Sequence, residues 1–283
     1  MKNFSVCMIL AFATFVGGAS SIAAPVETNS IEKTPVKEKL KIYLLMGQSN
    51  MAGRGTPEKE DLTTHPRVFM FTKSNQWEIA VEPITHNEKG KSPGVGPGLA
   101  FGKAMAEANP GIAIGLVPCA VGGTPLKRWE RGADLYSNAV ARAKAAAPSG
   151  TIAGIIWHQG EADSKLEEDA KSYGDRLAKM IVDIRADLNS SRLPFVVGQI
   201  GEFNYNREGN PLPFARNVNG ALAKIPEKVL FTGCALSQGL THRGDQLHFS
   251  SEAQRELGKR YAKEMLKLET RIKRAASDRK LLK

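Results

Sequence analysis

The chain has 283 residues, of which 42% are hydrophobic and 24% charged, and these proportions exclude a disordered or fibrous protein. This length allows one large domain or two small ones. The formal net charge is +10, but residues 267–283 supply +5 of it, with seven basic and two acidic residues and no aromatic one. Such a segment is typical of a solvated helix end, so we expect no nucleic-acid partner; weak attraction to acidic polymers is the alternative.

The N-terminal segment has the pattern of a secretory signal. Lys2 precedes an apolar run from Phe4 to Val16, and small residues follow as far as Ala24. This pattern predicts a signal peptide over residues 1–24 and a secreted or periplasmic protein. The apolar run is too short to span a bilayer, so we expect no stable membrane insertion; an uncleaved anchor is the alternative. Residues 25–39 are predicted to be a flexible leader, residues 40–268 one folded domain, and residues 269–283 a basic tail.

From residue 41 onward the chain alternates between strand-like and helix-like segments. Apolar runs predict strands at 41–46, 112–117, 152–157, 195–200 and 229–234. Helical periodicity predicts helices at 97–109, 134–147, 165–188 and 213–224, and a last helix in which Ser251 and Gln254 have the spacing of a capping box. Five strands with intervening helices predict an α/β fold in which helices cover both faces of a parallel sheet.

A long irregular stretch, residues 54–96, interrupts this alternation after the first strand. It is rich in Pro, Gly, Thr and Asn and includes a candidate short hairpin formed by residues 67–71 and 77–81. Loops of this length within a compact domain are usually functional. We therefore expect residues 54–96 to shape the substrate crevice.

Two cysteines, Cys119 and Cys234, remain once the signal peptide that contains Cys7 is removed. They follow the second and the fifth predicted strands. In a sheet of strand order 2-1-3-4-5 these strands are the two edges, four spacings of about 4.8 Å apart. A disulfide requires Cα atoms within roughly 7 Å, so two free thiols are predicted.

Polar clusters with complementary chemistry follow four of the predicted elements. They are Ser49, the pair Gly122 and Gly123, the pair Gln159 and Glu161, and, in the last turn, Asp245 and His248. Parallel α/β folds bind ligands outside the carboxyl ends of their strands, so these clusters are expected to share one rim.

The clusters contain the groups that acyl transfer requires. A serine hydroxyl needs a base to take its proton, and His248 is the candidate base for Ser49. Asp245 lies three residues before His248, so one turn of a loop is enough to bring its carboxylate onto the imidazole. Ser49 at a strand-to-helix junction also fits a simple helix cap, which is compatible with the nucleophile role.

An oxyanion formed during acyl transfer needs hydrogen-bond donors. The candidates are the backbone amides of Ser49 and of Gly122 or Gly123, together with the side-chain amide of Gln159. The sequence has neither Cys/His metal-binding spacing nor a phosphate-binding loop, so no metal and no cofactor are expected.

Four sequence blocks resemble those of a known superfamily. They are Gly47-Gln48-Ser49-Asn50-Met51, Gly122-Gly123-Thr124, His158-Gln159-Gly160-Glu161 and Asp245-Gln246-Leu247-His248. Together they resemble the SGNH hydrolases, and more narrowly the sialate O-acetylesterase-like and acetyl xylan esterase group known as carbohydrate esterase family 6. The resemblance extends from Lys41 to about Lys263.

This resemblance implies a flavodoxin-like three-layer sandwich, with a five-stranded parallel sheet of order 2-1-3-4-5, and an SGNH-type esterase domain over residues 40–268. It implies Gln159 in the oxyanion hole, where the wider superfamily has an asparagine. It leaves the acidic partner of His248 open between Asp245 and Glu161. We expect Asp245 to orient the histidine and Glu161 to be an auxiliary carboxylate.

Further candidates for substrate binding lie beside these blocks. Gln48 and Asn50 flank Ser49, while Arg128 and Trp129 follow the second block. For Arg128 a salt bridge at the rim is the alternative to substrate binding.

The sequence thus predicts a secreted, metal-independent serine esterase that removes acetyl groups from acetylated poly- or oligosaccharides. A lipase or thioesterase of the same superfamily is one alternative. The other is a catalytically idle carbohydrate-binding protein in which Trp77, Trp129 or Trp157 stacks on sugars.

Overall fold

The computed structural model describes residues 37–85 and 93–281. The predicted signal peptide and nearly all of the predicted leader therefore lie outside the described residues. Lys37–Lys39 form a single 3₁₀ turn ahead of the first strand. Within the described ranges, no helix combines the length and apolar character needed to cross a membrane.

A mostly parallel sheet forms the centre of the fold. Its strands are β1 (Leu40–Gly47), β2 (Val68–Phe71), β3 (Trp77–Ile79), β4 (Ala113–Pro118), β5 (Thr151–His158), β6 (Phe195–Gly198) and β7 (Thr232–Ala235). The spatial order is β3-β2-β4-β1-β5-β6-β7. All neighbouring strands are parallel except β2 and β3.

The helices lie on both faces of this sheet. They are α1 (Ser49–Ala52), α2 (Gly98–Ala108), α3 (Asp134–Ala146), α4 (Glu167–Asp187), α5 (Ala215–Ala223), α6 (Ile225–Lys228) and α7 (Ser251–Leu281). Side chains of α3, α4, α5 and α6 pack into the core on one face. Side chains of α2 and α7 pack into the core on the other face.

Strand β1 shows why its sequence is apolar throughout. Ile42 and Leu44 point into the core beneath α3 and α4, whereas Tyr43 and Leu45 point into the core beneath α2 and α7. All four side chains are buried. A strand covered on both faces needs apolar residues at every position rather than at alternate ones.

The prediction of a five-stranded sheet is wrong, because the sheet has seven strands. The predicted hairpin is confirmed, since β2 and β3 pair in an antiparallel arrangement. However, β2 also pairs in parallel with β4, from Val68 to Met70, and so extends the sheet. The assignment of all of residues 54–96 to the crevice is therefore wrong for this hairpin.

The start of α7 also differs from the prediction. Ser250, not Ser251, caps the helix, because its Oγ accepts a hydrogen bond from the amide of Ala253 at 3.2 Å. Ser251 Oγ donates to the carbonyl of Thr56, and Gln254 Nε2 donates to the carbonyl of Asn50. Both predicted capping residues thus bind segments outside the helix. At its other end α7 continues to Leu281, so the basic segment that begins at residue 269 continues this helix.

The prediction of free thiols is confirmed for Cys119 and Cys234. Burial raises the pKa of each thiol to about 12. Neither cysteine is therefore a thiolate near neutral pH.

Candidate active site

Ser49 opens helix α1 just beyond the end of β1. That strand ends at Gly47, whose φ of +132° favours glycine, and a Cβ atom there would lie 2.1 Å from the carbonyl oxygen of His158. The absence of a side chain lets the ends of β1 and β5 approach closely, and the Gln48 amide donates to His158 O at 2.8 Å. The nucleophile candidate is thereby held beside the residues that follow β5.

Ser49, His248 and Asp245 form a continuous hydrogen-bonded chain. Ser49 Oγ lies 3.0 Å from His248 Nε2, and His248 Nδ1 lies 2.7 Å from Asp245 Oδ2. An ionised carboxylate only accepts, so Nδ1 carries the proton and Nε2 is left to accept the serine proton. This is the geometry that a serine nucleophile needs from its base.

Asp245 also holds the backbone of its own turn. Its Oδ1 accepts the amides of Leu247 at 2.9 Å and of His248 at 2.8 Å. Burial acts to raise the pKa of Asp245, but these amides and the His248 ring outweigh it and lower that pKa. Burial lowers the pKa of His248, and the Asp245 carboxylate partly opposes this. Both shifts favour an ionised Asp245 beside a neutral His248 near neutral pH.

Glu161 occupies a different position from Asp245, which distinguishes the two candidate partners of the histidine. Its Oε1 accepts a hydrogen bond of 2.6 Å from Asn50 Nδ2, and Asp245 is the carboxylate that bonds to His248. Asn50 Nδ2 also donates to Leu247 O, and its Oδ1 accepts the amide of Phe249. Glu161 is thus connected to the backbone on both sides of His248, but through Asn50.

Glu161 and the neighbouring His158 are both buried. Burial raises the pKa of Glu161 to about 7, although the bond from Asn50 acts in the opposite direction. Burial lowers the pKa of the neighbouring His158 to about 3, so this ring is neutral. The hydroxyl of Tyr261 donates to Trp157 O, and His158 Nδ1 lies 3.0 Å from that hydroxyl. His158 is therefore a buried framework residue.

Gln159 does not supply the predicted oxyanion donor. It is buried, and its Nε2 lies within hydrogen-bond distance of three acceptors, Gln48 Oε1, Thr124 O and Asp163 Oδ2. An amide nitrogen has two protons, so none is left for a ligand. The expectation for Gln159 is wrong for this reason.

Gln48 has the free donor that Gln159 lacks. Gln48 Oε1 accepts Gln159 Nε2 and the amide of Ala162, and these two bonds orient its amide group. Its Nε2 donates to no acceptor within the described part of the chain, and the residue lines the cavity beside Ser49. Gly123 lines the same cavity and has a positive φ of 71°. Gly122 lies next to it in the chain but is not among the described lining residues.

The triad opens into a cavity of about 440 Å³. Its lining residues are Gln48, Ser49, Arg54, Gly123, Glu161, Ala162, Lys165, Arg207, Asn210, Leu212, Leu247 and His248. Three of them are cationic, whereas Glu161 is the one carboxylate among the described lining residues. A larger cavity of about 770 Å³ lies against α2 and α7, away from the predicted catalytic residues.

Three predicted substrate-binding residues do not face this cavity. Asn50 is buried and saturated by the bonds described above. Arg128 forms an ion pair with Asp134, which is the alternative that the sequence left open. Trp129 is buried and donates to Thr124 Oγ1 at 3.1 Å. These three predictions are therefore wrong, whereas Gln48 does line the cavity.

The tryptophans give little support to a sugar-stacking surface. Trp129 and Trp157 pack edge to face within the core, with ring centroids 5.3 Å apart. Trp77 lies on the edge strand β3 against Phe71. In the described ranges, no group of three or more His, Cys, Asp or Glu side chains is placed to hold a metal ion.

Comparisons with known proteins agree with this geometry. The sequence model of the family described as "Carbohydrate esterase, sialic acid-specific acetylesterase" matches residues 39–267. A probable carbohydrate esterase from Arabidopsis thaliana is 34% identical over 235 residues, which cover 77% of this chain and 86% of that protein.

Solved structures show the same fold. That of the Arabidopsis protein superposes with a TM-score of 0.73 at 33% identity, over 81% of this chain and 98% of the other. The crystal structure of NanS superposes with a TM-score of 0.67 at 19% identity, over 84% of this chain and 99% of the other. At that lower identity the likeness to NanS concerns the fold alone.

Proposed function

The chain belongs to the sialic acid-specific acetylesterase family of carbohydrate esterases and is a carboxylic ester hydrolase, and from this premise we propose that it deacetylates sugar hydroxyls through Ser49. The observation that carries the proposal is the unbroken chain from Ser49 Oγ through His248 to Asp245, with steps of 3.0 and 2.7 Å.

The proposed reaction has two halves. Ser49 Oγ attacks the acetyl carbonyl while His248 Nε2 takes its proton, and His248 then returns that proton to the departing sugar oxygen. Water next attacks the acetyl-enzyme with His248 again as base, which releases acetate and restores Ser49. Asp245 keeps the proton of the histidine on Nδ1 throughout.

Three donors are proposed for the oxyanion. They are the amides of Ser49 and Gly123 and the Nε2 group of Gln48, all of which belong to residues that line the cavity. Preorganised donors of this kind stabilise the charge that develops on the acetyl oxygen. Gln48 replaces Gln159 in this role because the amide protons of Gln159 are already used.

The charge around the cavity favours an acidic sugar over a neutral xylan. Arg54, Lys165 and Arg207 surround it, and Lys165 forms no ion pair with any described residue. The raised pKa of Glu161, about 7, leaves its carboxyl partly neutral near neutral pH. A carboxylate on the acetylated sugar would therefore meet a positive field. We propose an O-acetylated acidic sugar of the sialate type as the preferred substrate.

The experiment compares acetate release from O-acetylated sialic acid, acetylated xylan and an octanoyl ester. The acidic sugar ester is expected to give the highest kcat/KM and the octanoyl ester the lowest. Faster octanoyl hydrolysis would support the lipase alternative, and faster xylan deacetylation would overturn the preference for an acidic sugar.

The same assay tests the nucleophile. Ser49→Ala is expected to lower kcat by at least about 10⁴-fold, as the loss of a serine nucleophile does in other hydrolases. Ser172→Ala on α4 serves as the control, because among the described residues Ser172 Oγ bonds to the backbone carbonyls of its own helix alone. Retention of most activity by Ser49→Ala would contradict the proposed mechanism.

We also propose that the protein is secreted, on the basis of residues 1–24 alone. N-terminal sequencing of the protein exported by its host would then begin just after Ala23 or Ala24. A mature protein that still begins at Met1 would contradict this proposal.

A further inference from the structure

The loop that carries Asp245 and His248 contains no helix and no strand. Its ends are joined where the Ser250 amide donates to Thr241 O at 3.0 Å, and the Arg243 amide donates to His248 O at 2.9 Å. The turn between these bonds holds the Asp245 carboxylate against the His248 imidazole, although the Asp245 side chain is exposed to solvent.

The side chain of His242, inside the loop, accepts hydrogen bonds from two backbone amides of this turn. Nδ1 of His242 accepts the Gly244 amide at 2.9 Å and the Gln246 amide at 3.3 Å. These two amides bracket Asp245 in the chain. Only an unprotonated ring nitrogen can accept them, so the proton of a neutral His242 lies on Nε2.

The two bonds fix a conformation that the backbone would not adopt freely. Gln246 has a positive φ of 51°, which is uncommon for a residue with a side chain. Without an acceptor at its centre, the turn would lose two of the bonds that hold this conformation. The carboxylate of Asp245 would then move relative to the His248 ring.

We propose that His242 is a positioning residue of the hydrolysis, because its Nδ1 fixes the turn that presents Asp245 to His248. This inference rests on the proposed function of the triad. It assigns no contact between His242 and the substrate.

His242 also packs, and packing must be separated from hydrogen bonding. Its ring meets that of Phe203 edge to face, with centroids 5.4 Å apart, and Phe203 in turn contacts Phe249 at 5.1 Å. His242→Phe keeps an aromatic ring but removes the acceptor. His242→Asn removes the ring but places Oδ1 as many bonds from Cα as Nδ1, which is the arrangement of an Asx turn.

The chain offers a matched control in His65. Its Nδ1 accepts the amide of Arg67, two residues ahead, at 3.1 Å. This turn precedes β2, which runs parallel to β4 and β1. It therefore lies at the end of the sheet where these strands begin, whereas Ser49 lies at the end where β1 finishes. His65→Phe removes the same kind of bond without touching the site.

The measurement is kcat and KM for a small acetyl ester in His242→Phe, His242→Asn and His65→Phe. A shifted catalytic group costs up to about 100-fold, so His242→Phe is expected to lower kcat by about 10- to 100-fold with KM within about 2-fold. His242→Asn should retain kcat within about 3-fold, since Oδ1 restores the acceptor. His65→Phe should match the parent protein.

Equal losses in His242→Phe and His242→Asn, or no loss in His242→Phe, would overturn the proposal. If His242→Phe fails to fold, nitrogen NMR of the parent protein decides together with His242→Asn. A bare Nδ1 in His242 and an active His242→Asn support the proposal, whereas a protonated Nδ1 or an inactive His242→Asn overturns it. Ser49→Ala is measured alongside, and retained activity in that variant would mean that the triad mechanism itself is wrong. The NMR result does not depend on activity, so it tests the role of His242 separately from the triad mechanism.

Discussion

The two halves of the site are held in place by different means. Ser49 lies at the end of β1, is 6% exposed and is flanked by the buried residues Gln48 and Asn50. Asp245 and His248 lie on a loop, with side chains that are 40% and 18% exposed. The sheet and its core position the nucleophile, whereas hydrogen bonds from side chains to backbone amides position the acid and the base.

This difference predicts how mutations in each half will affect stability and activity. Residues beneath Ser49 contribute buried contacts, so their loss is expected to cost folding free energy as well as activity. No apolar side chain of residues 241–248 is fully buried, although that of the adjacent Phe249 is, so loss of the acceptors in this turn should lower activity with a smaller effect on stability. Asn50 belongs to both halves, because it follows Ser49 in α1 and bonds to the backbone on both sides of His248.

The strongest test of this comparison is to neutralise each of the two carboxylates, Asp245 and Glu161, in turn. Asp245→Asn should lower kcat by about 10³- to 10⁴-fold, because the wrong histidine tautomer would then face Ser49. Glu161→Gln should lower kcat by no more than about 10-fold, because Gln keeps an acceptor for Asn50. Steady-state kinetics on a small acetyl ester measures both. Comparable losses in the two variants would mean that Glu161, too, acts directly on the histidine.

Asn50→Ala tests the connection between the halves. It removes the donor to Glu161 and to Leu247 O and the acceptor for the Phe249 amide. Unfolding free energy should fall by about 2–4 kcal/mol because buried polar groups lose their partners. The His248 backbone is also freed, so kcat should fall by about 10- to 100-fold. Urea unfolding and kinetics measure the two effects, with Asn217→Ala on the exposed face of α5 as the control. A loss of stability without a loss of kcat would contradict the idea that Asn50 connects the Ser49 side of the site to the loop that carries His248.

Glu161 should make stability depend on pH. Its folded pKa of about 7 exceeds the ordinary 4.5, so its stabilising contribution is complete below about pH 4.5 and is lost as the pH rises through 7. Glu161→Gln cannot titrate. The unfolding free energy of the parent protein relative to this variant should therefore fall by about 2–3 kcal/mol between pH 5 and pH 8. Urea unfolding at both pH values tests this, and a difference that does not change with pH would contradict the burial of an ionisable Glu161.

The smallest effect is expected at the rim. Lys165→Ala should raise KM for an acidic sugar ester by about 3- to 10-fold at low salt, and less at high salt, because an exposed charge is screened. A neutral acetyl ester should be unaffected. Lys171→Ala is the control, because Lys171 lies on α4, which begins two residues after Lys165, and pairs with Glu167. Equal changes for the acidic and the neutral ester would rule out recognition of a substrate charge by Lys165.

The sequence was sufficient for the groups whose chemistry is local. Ser49 follows a strand, and Asp245 precedes His248 by three residues, so a parallel sheet brings them to one rim. The extra edge strands were harder to predict, because β2 is short and its place in the sheet depends on pairing with β4, which is distant in sequence.

The roles of polar residues beside the nucleophile depended on tertiary contacts. Gln159, Asn50 and Trp129 all have side chains suited to a binding site, yet each is turned inward by a specific partner. Composition and spacing carry no information on which way such a side chain points. The acceptor role of His242 was missed for the same reason, because it depends on the conformation of the turn.

The most direct test of the mechanism is to trap its covalent intermediate. The protein is mixed with p-nitrophenyl acetate, quenched in acid during the initial burst and digested for mass spectrometry. The triad predicts one acetyl group on the peptide that contains Ser49, and none on that peptide in Ser49→Ala. Acetate release without acetylated Ser49, or an acetyl group on another residue that forms and decays at the rate of turnover, would contradict Ser49 as the nucleophile.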